Sequence, residues 1–250
     1  MTLTIDQVIA QLESTDPAQR SAAILKLQPG TPDDDKVISA LINILCGDDD
    51  LNGVEYATWG LVRYGSAAIP ALLSLVTDTN PRIRHNGIHV CGKIKDRQCV
   101  PALIAAVHDS VADVRLKAVY SLGQIGDERA IEALVMTLGD SVQEVRWTAR
   151  EALQSFGEKA LSMLIWGLQQ DSAYIQELAA QLLGDIADEQ AVDALITTLD
   201  SENWEVRVAV IEALGQIGSG RAIPVIEAHL QDAHPSVRAM SAAMIKILRR

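Results

Sequence analysis

The chain has 250 residues, 48% of them hydrophobic but with a single Phe, so its core must be built from Leu, Ile, Val and Ala, a composition suited to closely packed helices. With 21 Lys and Arg against 33 Asp and Glu the net charge is -12, which repels a phosphate backbone and excludes nucleic acid as an expected partner. No basic stretch followed by an apolar run opens the chain, no segment is expected to span a bilayer, and Cys46, Cys91 and Cys99 lack CxxC spacing; together these point to a soluble, cytoplasmic protein without membrane contact.

In chain order, helical periodicity predicts segments over about 3–14 and 16–28, 33–46 and 51–64, and 66–77 and 80–95. Pro29-Gly-Thr-Pro32 lengthens the linker after the first pair, and Asp33, Asp34 and Asp35 behind it are expected to cap the helix that follows. Asp48-Asp-Asp50-Leu-Asn52-Gly53 matches the first half of a calcium loop, but the twelfth position is Trp59 where a bidentate Glu is required. These carboxylates are therefore also expected to cap a helix, the one starting near Leu51.

From residue 78 onward a repeat takes over. Asp109-Ser-Val-Ala-Asp-Val-Arg115, Asp140-Ser-Val-Gln-Glu-Val-Arg146 and Asp232-Ala-His-Pro-Ser-Val-Arg238 share one frame. Arg84, Arg115 and Arg146 recur every 31 residues, Gln176 takes the next place after 30, and Arg207 and Arg238 follow. Ten residues after each comes Ile94, Ile125, Phe156, Ile186, Ile217 and Leu248. Asp127 to Leu138 is predicted as one helix, stopped at Gly139-Asp140, and Val142 to Phe156 as its partner, with Val145, Ala149, Ala152, Leu153 and Phe156 on one face. Each unit is thus a helical hairpin that must stack on its neighbours to bury both apolar faces. The expectation is one array over 1–250: irregular units over 1–77, where Arg20 keeps the Arg place and Glu55 replaces it, and regular 31-residue units over 78–250.

The run Asp-x-x-x-x-Val-Arg-x-x-Ala with Leu-Gly-x-Ile-Gly-Asp-x-Arg-Ala-Ile, complete between Asp109 and Ile131, resembles the HEAT-like repeat of phycobilisome lyases and related cyanobacterial and archaeal solenoid proteins. The resemblance implies an all-α, right-handed α-solenoid, a superhelix of about eight HEAT-like hairpins. It also implies a structural ladder between adjacent second helices made by Asp78, Asp109 and Asp140 with Arg84, Arg115, Arg146, Arg207 and Arg238. Second helices line the concave side of such arrays. HEAT-type di-iron hydroxylases use His-Glu dipeptides, whereas none of the five His here is followed by Glu.

Positions that vary between units, one, four and five residues after the Arg place, are where a binding face should be written. They hold Tyr56, Trp59, His85, His89, Leu116, Tyr120, Trp147 and Glu151, an aromatic strip expected to bind a partner. Alternatively, Trp59 and Trp147 wedge between hairpins. His85 and His89 could offer two imidazoles to a metal, but no third ligand stands at the equivalent places, so polar lining of the groove is the simpler reading. Cys91 occupies a core place filled elsewhere by Leu122, Leu153 and Leu183. Cys99 matches the place of Ala130, read as half-buried, and Cys46 is the most accessible thiol; none has the His or Lys partner a nucleophile needs.

No catalytic residue or metal site is identified. The expected function is a non-catalytic scaffold or adaptor for a basic or neutral protein partner. The resemblance adds a lyase-like chaperone that holds an open-chain tetrapyrrole, a phycobilin, for attachment to or removal from a phycobiliprotein, with bilin lyase as the only enzymatic reading. It also adds an accessory to an iron–sulfur carrier protein. The last helix, 234–250, offers Ala239, Met240, Ala243 and Met244 with no further hairpin to cover them.

Overall fold

A computed structural model of the protein describes residues 4–47 and 51–249, so Asp48–Asp50, with their calcium-loop and capping readings, lie outside the described residues. Among these residues the secondary structure is all helical. Eight hairpins follow one another: α1 (Ile5–Leu12) with α2 (Pro17–Lys26), α3 (Asp34–Cys46) with α4 (Leu51–Tyr64), α5 (Ile69–Val76) with α6 (Pro81–Ile94), and α7 (Val100–Ala106) with α8 (Ala112–Ile125). Then come α9 (Ile131–Thr137) with α10 (Gln143–Phe156), α11 (Leu161–Gly167) with α12 (Ala173–Ile186), α13 (Val192–Thr198) with α14 (Trp204–Ile217), and α15 (Ile223–Ala228) with α16 (Pro235–Leu248). The chain forms two compact units, Met1–Ile125 and Gly126–Arg250. In each, hairpins stack side by side as in an α-solenoid. Even-numbered helices pack on even-numbered ones: α2 on α4, α4 on α6 and α6 on α8 in the first unit, α10 on α12, α12 on α14 and α14 on α16 in the second.

The repeated polar residues hold the linkers. Arg84 Nη1 donates to the Asp78 carbonyl at 2.8 Å, and Arg115, Arg146 and Arg238 reach the carbonyl six residues back in the same way at 2.9, 2.7 and 2.7 Å. Gln176, in the Arg place, does so with its amide at 2.8 Å. The other edge of the guanidinium makes the rung to the next hairpin: Arg84 grips Asp109 through two bonds of 2.6 and 2.8 Å, and Arg207 grips Asp232 through two of 2.9 Å. Bidentate contacts of this kind, largely shielded from water, fix direction as well as distance. At Gln176 both partners change together, with Ser201 donating to its amide oxygen at 3.5 Å.

Close approach of the even helices depends on small residues. A Cβ on Gly92 would lie 2.4 Å from Ser121 Oγ, and one on Gly184 2.9 Å from the Ala213 backbone. Neither could be accommodated without moving a helix apart. Buried Ser121 uses that proximity to donate to the Ile88 carbonyl at 3.2 Å.

Several local expectations change. The helix predicted over 127–138 is a short 3-10 turn, Glu128–Ala130, followed by α9, because Asp127 caps the turn by accepting from Arg129 N at 3.0 Å. Asp96 and Asp188 cap the corresponding turns. Asp140 accepts from Val142 N at 2.8 Å, organising the turn ahead of α10 and not the helix start itself. Asp33, with φ -97° and ψ 5°, is outside the extended conformation that aims a cap at the helix, and it pairs with Lys36. Asp34 instead folds back to accept from Gly30 N at 2.7 Å and from Thr31. Cys99 is fully buried, not half-buried, because the place it shares with Ala130, Ala160, Ala191 and Ala222 is sealed under the hairpin corner. The expectation that no segment could span a bilayer also needs correction: residues 52–76 are long and apolar enough by length and composition. They fold as α4, a 3-10 corner at Gly65 (φ 55°) and α5, with α4 and α5 belonging to different hairpins.

Candidate functional site

In the first unit, α4, α6 and α8 carry six of the sequence-derived candidates on the outer surface of the even-helix layer. Trp59 is 50% exposed and Tyr120 46%, and Trp59, like Trp147 at 54%, is not buried as a wedge between hairpins. Tyr56 is half-buried, packed edge-on against Trp59 with ring centroids 5.5 Å apart, and Arg20 lies over its ring at 5.6 Å. A groove of about 680 Å³ brings Trp59 on α4 together with His89 on α6, floored by Ile24, Val54 and Val62 and edged by Glu55, Arg63 and Lys93. Its size is in the range of small-ligand and side-chain pockets. Leu116 and His85 are half-buried nearby in the sequence frame, on α8 and α6.

The electrostatics of this face run against the chain as a whole. Burial lowers the pKa of His89 to about 4, helped by the ammonium groups of Lys117 and Lys93 and by His85. His85 is also lowered, by burial and then by Lys117. Both imidazoles are therefore neutral at pH 7. The Lys117 ammonium, half-buried, is itself shifted down by burial and by Lys93, and it lies 5.6 Å from the centre of the Tyr120 ring. Two cations beside the imidazoles oppose a metal ion at His85 and His89. Among the described residues, no group of three His, Cys, Asp or Glu side chains could hold one.

In the second unit, Trp147 on α10 is 54% exposed and Glu151 one turn on is also at the surface. A groove of about 250 Å³ runs between α10 and α12, lined by Trp147, Arg146, Arg150, Tyr174, Glu177 and Gln181 among others. Arg146 lies over the Tyr174 ring at 4.3 Å, and Arg150 bonds Asp185 at 3.1 Å. Burial, with Glu205 nearby, raises the Glu177 pKa. Charge separates accordingly: residues 1–125 hold 11 Lys and Arg against 14 Asp and Glu, whereas residues 126–250 hold 10 against 19.

Sequence reasoning missed Lys93, Lys117, Val62, Tyr174 and Trp204. Lys93 was within reach, since 85, 89 and 93 continue one stripe at intervals of four. Lys117 on α8 comes near His85 and His89 on α6 through the stacking of neighbouring hairpins, which periodicity does not encode. Tyr174 and Trp204 stand two and three residues before the Arg place, outside the positions used to define the strip. Tyr174 is 53% exposed, and Trp204 stacks on His234 with centroids 3.9 Å apart. Of the thiols, Cys91 and Cys99 are buried, and burial pushes half-buried Cys46 up.

A sequence model of HEAT repeats matches residues 69–154 and 161–246. A search among curated proteins finds no match. Among solved structures, the archaeal HEAT-like repeats protein from Thermococcus onnurineus NA1 superposes with a TM-score of 0.53 at 10% identity, over 89% of this chain and 98% of that one. Human deoxyhypusine hydroxylase, in complex with glycerol, is 24% identical over 98% and 95% of the two chains with a TM-score of 0.42. The CpcE–CpcF complex of phycocyanin lyase from Nostoc sp. PCC7120 is 18% identical over 99% and 96%, with a TM-score of 0.44. The archaeal likeness shows the fold alone.

Proposed function

The chain belongs to the HEAT-repeat family, and from that premise we propose that it is a non-catalytic scaffold in the cytoplasm that binds protein partners through the outer face of its even-numbered helices. The observation that carries this reading is the exposure of Trp59, Tyr120 and Trp147, large rings left half in water on helices whose other faces are fully packed. Such rings supply contact area with little rotamer entropy to lose, which is why they anchor interfaces. Each unit contributes a surface of its own: Tyr56, Trp59, His85, His89, Leu116 and Tyr120 in the first, Trp147 and Glu151 in the second. In a pulldown against extract of the native host, identified by mass spectrometry, the wild-type chain retains a partner that Tyr120→Ala with Trp147→Ala loses at unchanged helicity. Retention of the same partner by the double variant contradicts the proposal.

A second reading rests on the groove that Trp59 shares with half-buried His89, which has the volume and the flat wall to hold an open-chain tetrapyrrole, as a lyase-like chaperone would. Micromolar bilin mixed with the protein then changes its visible spectrum, and Trp59→Ala removes the change. An unaltered spectrum with the wild-type chain rules the tetrapyrrole out.

A further inference from the structure

Several cations in the fold are matched by an acid: Lys36 by Asp33, Arg84 by Asp109, Arg150 by Asp185, Lys159 by Glu128 and Arg207 by Asp232. In a chain with such an excess of carboxylate this is the expected outcome. Lys93 and Lys117 depart from it, since neither forms an ion pair or hydrogen bond among the described residues. Lys117 is half-buried, and burial followed by the neighbouring Lys93 ammonium disfavours its charge. Two neighbouring like charges, one of them half-buried, repel, and an anion placed between them removes that repulsion. The surroundings cancel them in part. His85 and His89 are uncharged at pH 7, Arg63 edges the same groove while donating to the Leu27 carbonyl, and Glu55 and Asp113 oppose. In the groove that Lys93 edges, Trp59, Val54 and Val62 supply apolar surface.

We propose that this face of the first unit binds an acidic segment of a protein partner, seating an apolar side chain on Trp59 and Val62 while flanking carboxylates meet Lys93 and Lys117. The inference rests on the scaffold reading and specifies the partner's chemistry. It reverses, for this unit, the expectation of a basic or neutral partner, because the local charge of the groove and not the net charge of the chain decides what docks there. An acidic peptide also suits the groove better than a nucleic acid, which the remaining surface charge repels.

The test uses two fluorescein-labelled peptides of equal length, one alternating Glu and Leu, the other Lys and Leu, followed by fluorescence anisotropy. The wild-type chain binds the Glu peptide about tenfold or more tightly than the Lys peptide, and added salt weakens it. Lys93→Glu with Lys117→Glu reverses the preference, Lys93→Gln with Lys117→Gln abolishes it if charge reversal perturbs folding, and Trp59→Ala weakens the Glu peptide. Absence of binding, equal binding of the two peptides, an unchanged preference in the lysine variants, or displacement by a single-stranded oligonucleotide at lower concentration each overturns the inference. If a native partner is lost from Trp59→Ala but kept by the lysine variants, the scaffold stands and the acidic segment falls; if Trp59→Ala keeps it, the first unit's part in the scaffold falls as well.

Discussion

Arg84 and Arg207 close a linker carbonyl with one nitrogen and grip the next hairpin's carboxylate with two others, so one side chain sets both the turn and the stacking. Gln176 and Ser201 occupy the same two places as a neutral pair. Gln176→Arg alone puts a half-buried guanidinium opposite a hydroxyl and lowers stability by about 1 kcal/mol, while adding Ser201→Asp restores it, with a coupling of about 1–3 kcal/mol in a double-mutant cycle by urea denaturation. Simple additivity contradicts the ladder. The Arg84 and Arg207 guanidinium groups hold Asp109 and Asp232 below the usual carboxylate range, so their stabilisation is complete above about pH 4 and is lost as pH falls below it. His89 acts over a higher window. Its lowered pKa favours the neutral ring, so its contribution is present above about pH 6.5 and disappears toward pH 4. His89→Gln flattens the stability profile between those values, and an unchanged slope in thermal melts refutes the assignment.

At the level of elements, the second helix of each hairpin was legible almost to the residue. Its end coincides with the apolar position ten after the Arg place, from Ile94 to Leu248, because that residue is the last to face the core before the chain turns. First helices were read too long, since an Asp-capped 3-10 turn has the same local composition as a helix start. The stop between them is a left-handed residue: Gly126 and Gly218 at φ 67° and 80°, but Lys95 at 59° and Ala187 at 56°. A side chain there costs about 1 kcal/mol, so Ala187→Gly raises the stability of the chain by about that amount, net of the greater freedom glycine has when unfolded. A lower midpoint in chemical denaturation contradicts this account of the corner. Gly92→Ala does the reverse, costing about 2 kcal/mol or more by pushing α6 from Ser121, and an unshifted midpoint means the helices are not held that closely.

For the molecule as a whole, the repeat made the architecture readable, whereas the binding surface was readable only in part. Trp59, Tyr120 and Trp147 stand out as residues that packing did not require, and the structure leaves them half exposed. The local basic cluster of Lys93 and Lys117 was hidden by a net charge that is negative in both halves of the chain, and Lys117 enters the neighbourhood of His89 only once hairpins stack. The claim on which everything functional depends is that partners dock on the even-helix face. Oxidative footprinting of the chain with and without its co-purified partner tests it directly. Trp59 or Trp147 becomes protected while Met136, exposed on first helix α9, stays reactive; protection of Met136 with both tryptophans still fully labelled contradicts the account.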